Sequence, residues 1–202
     1  RFVRARHGLD IELVARRKCV EDFLDQHLGR GRACGHAERP DAESDDWTVT
    51  QRMADGAGGI VERPTDATLV FGGHGHEHWH VFAETSYELF AIDDGKLASR
   101  RKAGFCYFDQ VLVSPGPLTP PQMVYMPERC GKPVDTWIEM GMSVGWSDPY
   151  FWTLEDQDLD ITGLPDGRYR IVATADPDNW FVELDETNNT TESIIEIVTN
   201  AE

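Results

Sequence analysis

An all-β fold, an antiparallel β-sandwich with long loops, is what residues 46–202 predict, and three features predict it. Short alternating or apolar runs recur from residue 46 onward, each about the length of one strand. The breaks between them carry "DDG", "LPDG" and "ADPDN", chemistry suited to hairpins and tight bends. No strand–helix–strand alternation appears and no repeat of fixed period, so an antiparallel sandwich is the economical arrangement.

In chain order, "IELVARRKCVEDFLDQHL" (11–28) fits a helix with Leu13, Val20, Phe23, Leu24 and Leu28 roughly on one side. "GRGRACGHAERPDAESDD" (29–46) then reads as a linker. The expected division is a divergent helical or irregular leader over 1–45 and the sandwich over 46–202. Strands are expected at 47–54, 67–71, 78–83 and 87–93, from "WTVTQRMA", "ATLVF", "HWHVFA" and "YELFAID". Five more follow at 103–108, 136–140, 168–175, 180–184 and 192–198, from "AGFCYF", "TWIEM", "RYRIVATA", "WFVEL" and "ESIIEIV". The proline-rich stretch 109–135 reads as a long loop.

Charge narrows the function classes. The chain of 202 residues has 19 Lys/Arg against 36 Asp/Glu, a formal charge of −17. A field of that sign repels phosphates, which argues against a nucleic-acid partner, and attracts cations such as protonated amines. The same acidity also serves solubility. It is unevenly spread: residues 1–40 hold nine basic and six acidic residues, leaving ten and 30 for the rest. No run approaches the ~20 apolar residues of a membrane span. The basic start is not followed by an apolar stretch, so no signal peptide is legible in these residues. The four cysteines suffice for one or two bridges, and with six Trp they fit a secreted or extracytoplasmic all-β protein.

The strongest local signal is "GGHGHEHWHVF" (72–82), where four of the seven histidines fall on every second position. Strand residues i, i+2 and i+4 share one face, about 7 Å apart per pair at the ~3.3 Å rise. His76, His78 and His80 then converge on one ion, while Trp79 and Val81 face a core. His74 stands just upstream, where the chain turns. Imidazole donors suit copper, zinc, iron or nickel, and the affinity order favours copper.

Further motifs follow in order: "SYELF" (86–90), "RKAGFCYFD" (101–109), "GMSVGWSDPY" (141–150), "DLDITGLPDGRYRI" (158–171) and "ELDETNN" (183–189). This series resembles the catalytic domain of lysyl oxidases, in the microbial branch, over about residues 47–198. The resemblance implies a copper-dependent amine oxidase that converts peptidyl lysine or small primary amines to aldehydes, consuming oxygen and releasing hydrogen peroxide and ammonia. It implies His76, His78 and His80 as copper ligands. It also implies Lys102 and Tyr150 as the precursors of a lysine tyrosylquinone cofactor, with Thr162 at the family spacing from Tyr150. Glu183, Asp185, Asn188 and Asn189 match a cluster that holds calcium in some members. Cys106 and Cys130 match a disulfide that steadies the cofactor lysine's strand.

The general base is left open. Where animal members have a histidine before the tyrosine of "SYELF", this chain has Ser86. Asp109 and Asp148 are the candidates, each at a fixed distance in sequence from a cofactor residue. The family's Pro-Asp-Leu-like start, which supplies further calcium ligands, is absent, as are the additional animal disulfides, and Cys19 and Cys34 stay unassigned. Two other readings compete: a non-catalytic copper-binding sandwich, which needs neither Lys102 nor Tyr150, and a zinc or iron enzyme of cupin type. The second lacks its distant histidine, because none follows His80.

Overall fold

The structure, a computed structural model, describes residues 2–3, 32–54, 59–72, 77–149, 159–183 and 186–198. The helix expected at 11–28 lies outside them. The described strands, in chain order, begin with β1 (Phe2–Val3), β2 (Arg32–Glu38), β3 (Thr48–Ala54), β4 (Ile60–Pro64) and β5 (Leu69–Phe71). They continue with β6 (Trp79–Ala91), β7 (Leu97–Phe105), β8 (Val111–Leu112), β9 (Trp137–Ser143) and β10 (Trp146–Ser147). The last are β11 (Leu159–Asp160), β12 (Gly167–Ala175) and β13 (Thr190–Ile197), and a 3-10 turn occupies Pro127–Cys130.

Two antiparallel sheets make the sandwich. One has the order β4-β3-β2-β9. The other is built on β6, which pairs β7 along one edge and β5 and then β12 along the other, with β13 outside β12. Their shared core draws Ala37, Val49, Ile138 and Met140 from the first sheet and Leu69, Trp79 and Val81 from the second. Alternation explains the choice: Ile138, Met140 and Met142 on β9 are buried two apart, as a strand with one core face requires. A second cluster under Leu89, Tyr169 and Ile171 closes the far end.

The structure corrects three of the expected elements. Arg32–Glu38, read as linker, is instead an interior strand paired to both β3 and β9. Its "RACGHAE" lacks branched and aromatic residues, but small residues suit a strand pressed against a core: Ala37 is buried, and a Cβ on Gly35 would only touch Met140, at 3.7 Å. The strands expected at 78–83 and 87–93 are one continuous β6, bent where Ala83 takes a φ of 55°. There Val81 opposes Phe105 but Thr85 opposes Ala103, so β6 carries more residues than β7 across the bulge.

The strand expected at 180–184 does not form over the described 180–183. Its backbone is satisfied by side chains instead. The Asp176 carboxylate accepts from Trp180 N and Phe181 N at 2.9 and 2.8 Å, and the Gln51 amide bonds both N and O of Val182 at 2.9 Å. The exposed edge strand β4 was not anticipated; Pro64 and the charged Glu62 and Arg63 suit an edge.

Gly104 on β7 lies against the bulge. A Cβ there would collide with the carbonyl oxygen of Val81 and stand 3.3 Å from Phe82 Cα. Gly104→Ala is therefore expected to cost about 1–3 kcal/mol, measured by urea unfolding, because both obstacles are backbone that cannot rotate away. An unchanged midpoint would show that the two strands separate freely here.

Candidate metal and cofactor site

His78 directly precedes β6 and His80 lies within it, opposite Val70 of β5. Both are half-buried, and their rings meet edge to face at 4.6 Å between centroids. Trp79 between them is buried on the opposite face, in the core. The alternation read from the sequence thus holds for this pair, while His74 and His76 lie outside the described residues. Among the described residues no group of three His, Cys, Asp or Glu side chains is arranged to hold a metal. The pair itself fits one. With metal–nitrogen bonds of about 2.0–2.1 Å, two imidazoles on neighbouring positions of one ion have centroids roughly 4.5 Å apart. The Nε2 atoms of both rings are buried, and imidazole donors are of the kind that suit copper.

Lys102 belongs to β7, and its backbone pairs with Ser86 of β6, further along the strand that carries His80. Ser86 is itself buried. The end of β7 is anchored at once: Cys106, just after Phe105, forms a disulfide with Cys130, as expected, with 5.8 Å between Cα atoms. Tyr150 lies outside the described residues, but Ser147 and Asp148, which lead to it, are both buried.

The two candidate bases occupy different settings. Asp109 is fully buried, and all its capacity goes to the fold. Oδ2 accepts from Val124 N, Tyr125 N and Ser143 Oγ at 2.8, 3.2 and 2.8 Å, and Oδ1 accepts from Ser143 N at 2.7 Å. It binds the proline-rich loop to β9. Asp148 is buried as well and stands two residues before Tyr150 in the chain.

Of the "ELDETNN" cluster, Glu183, Asn188 and Asn189 are described and Asp185 is not. Asn189 presents a buried Oδ1 with no hydrogen-bond partner among the described residues, while its backbone oxygen holds Ala175 N at 2.9 Å. Two acids missed by the sequence reading join this end. Glu84 lies within the β6 bulge, next to Ala83, and its backbone oxygen accepts from Asp176 N at 2.7 Å. Burial first, then the charges of Asp176 and Glu183, push the Glu84 carboxyl well above the usual carboxylate range. Burial also raises Asp176, against the pull of the Phe181 and Trp180 amides. The available signal was an acid inside a long apolar strand. β6 therefore carries both groups, with His80 before the bulge and Glu84 in it.

A carboxyl raised on folding contributes stability that is fully present below its unfolded value and is lost as pH rises through its folded one. In chelator-treated protein, stability should fall as pH rises above the ordinary glutamate range, by up to about 1.4 kcal/mol per pH unit from Glu84. Glu84→Gln, which cannot ionise, should flatten that slope in urea titrations run at successive pH values. An identical slope in both proteins would remove Glu84 as its source.

Fold and site together define an all-β sandwich with a paired imidazole centre on one central strand. The lysyl oxidase family profile matches residues 63–201. The chain belongs to the lysyl oxidase family. It is 30% identical over 115 residues to lysyl oxidase homolog 4 of Mus musculus and 32% over 117 residues to lysyl oxidase homolog 2 of Xenopus tropicalis. Each match covers 56% of this chain but only 14% and 13% of those proteins. No helix among the described residues is long and apolar enough to cross a membrane.

Proposed function

We propose that this chain is a copper-dependent amine oxidase of the microbial branch, with a lysine tyrosylquinone formed from Lys102 and Tyr150. The observation that carries the reading is the His78–His80 pair, half-buried at 4.6 Å on the strand that Lys102's strand pairs with. His76, His78 and His80 would hold copper. Bound copper and the quinone would supply the redox and carbonyl chemistry by which a primary amine, oxygen and water become aldehyde, ammonia and hydrogen peroxide. The protein's own residues gather and prepare the amine. The charge of −17 draws in the protonated form, whether a lysine side chain of a protein or a small amine. A carboxylate must then take up protons. Asp148 is the better candidate, because Asp109 is committed to four hydrogen bonds.

Calcium at Glu183, Asp185, Asn188 and Asn189 is part of the same proposal: four oxygen-bearing side chains suit a hard cation. The buried Asn189 Oδ1 supports it. A buried disulfide favours an oxidising compartment, so the protein is proposed to work outside the cytoplasm.

The deciding experiment is a peptide map by mass spectrometry after incubation with copper and oxygen. A cross-linked species joining the Lys102 and Tyr150 peptides, absent from Lys102→Ala, is expected. Unmodified peptides from copper-loaded protein would leave a non-catalytic copper-binding sandwich.

A further inference from the structure

We infer that Arg39 is a positioning residue for the metal-binding histidines, acting through Trp79. The inference rests on the copper reading above but concerns a group remote in sequence from every candidate ligand. Arg39 follows β2, and its side chain is only 7% exposed. Its guanidinium donates to three backbone carbonyls: Nε to Asp135 O at 2.8 Å, Nη1 to Ser44 O at 2.9 Å, and Nη2 to Pro133 O. It also lies 4.8 Å from the centroids of both Trp47 and Trp79. The cation is therefore compensated by carbonyl dipoles and two aromatic faces.

Trp79 is held on every side. Its Nε1 donates to Lys132 O at 2.9 Å, and Trp47 and Phe71 meet it edge to face at 4.9 and 5.3 Å. Gly131, at φ 75°, approaches so closely that a Cβ there would stand 3.3 Å from Trp79 Cδ1 and 2.9 Å from Ile138. Taking a guanidinium out of water costs several kcal/mol, and an apolar side chain would fill this core at less cost. What the cation adds is direction, because its fork joins two indoles to the loop at 132–135 in one geometry.

The histidines feel that geometry through the backbone. His78 and His80 are the covalent neighbours of Trp79, with side chains on the opposite strand face. Any tilt of Trp79 about the strand axis swings both imidazoles together and changes how they meet an ion. Groups hydrogen-bonded to metal ligands commonly change affinity about 10–100-fold when altered, and that sets the scale for a brace acting through the backbone.

The test compares Arg39→Met, Arg39→Lys and Trp79→Phe with Tyr169→Phe, a control that loses the Tyr169–Pro165 hydrogen bond in the other core cluster. The readouts are copper(II) affinity, the copper(II) electron paramagnetic resonance spectrum, and the imidazole nitrogen resonances of metal-free protein. Arg39→Met and Trp79→Phe are expected to bind copper about 10–100-fold more weakly with altered hyperfine splitting, and Arg39→Lys to recover part of the loss. Tyr169→Phe should be destabilised with an unchanged spectrum. If Arg39→Met does not fold, Arg39→Lys and Trp79→Phe decide. Folded variants with wild-type affinity and spectrum would overturn the inference and leave Arg39 a stabilising residue only. A wild-type protein that binds no copper would overturn the copper reading. The metal-free resonances then judge Arg39: displaced in its variants and not in Tyr169→Phe, they uphold positioning; unmoved, they overturn it.

Discussion

Asp109→Asn should lower the urea midpoint by about 2 M, the loss of about 3–5 kcal/mol divided by a typical slope. The carboxylate is fully buried and accepts from three backbone amides and the Ser143 hydroxyl. An asparagine keeps one acceptor oxygen and turns an NH2 toward groups that are themselves donors. Each buried donor left without an acceptor costs about 1–3 kcal/mol. That is a large share of the ~5–15 kcal/mol by which domains are stable. The same variant tests the alternative role. A base would lose turnover at unchanged stability, whereas a keystone of the fold loses stability first. If Asp109→Asn unfolds at the wild-type midpoint, the structural assignment falls and the base role returns.

Removing the Cys106–Cys130 disulfide should cost about 3–4 kcal/mol. The two cysteines are 24 residues apart in the chain, and a closed loop of that length restricts the unfolded state by roughly that amount. Both are fully buried beside Trp79 and Ile138, so the double alanine variant is preferred to serine, which would bury two hydroxyls. The Cys106→Ala/Cys130→Ala protein and the reduced wild type should unfold at similar, lowered urea concentrations. A reduced wild type as stable as the oxidised one would show that the bridge carries little of the fold. The loss should also reach the site, because Cys106 terminates the strand of Lys102 and Cys130 adjoins Gly131, which packs on Trp79.

Much of the sandwich was legible where strands advertise themselves. "RYRIVATA", "TWIEM" and "ESIIEIV" contain branched and aromatic residues, and each became a strand close to its expected bounds. The His78–Trp79–His80 alternation was legible because a strand's period of two is a local property. The strand β2 was hidden because its small residues carry no such pattern; its place comes from partners on both sides. The segment 180–183 misled for the opposite reason. Its residues look like a strand, but Asp176 and Gln51 satisfy its backbone with side chains.

The sequence by itself determined the all-β class, the acidic charge, the face shared by His78 and His80 and the family to which the chain belongs. All of these are written in composition, local period or the order of motifs. Only the tertiary structure decided that Asp109 ties the proline-rich loop to β9, that Glu84 and Asp176 share one buried end with Glu183, and that Arg39 lies between two tryptophans behind the histidines. Each depends on residues far apart in the chain meeting in a dry interior. There, burial rather than residue type sets whether a charge is a reactive group, a suppressed acid or a clamp.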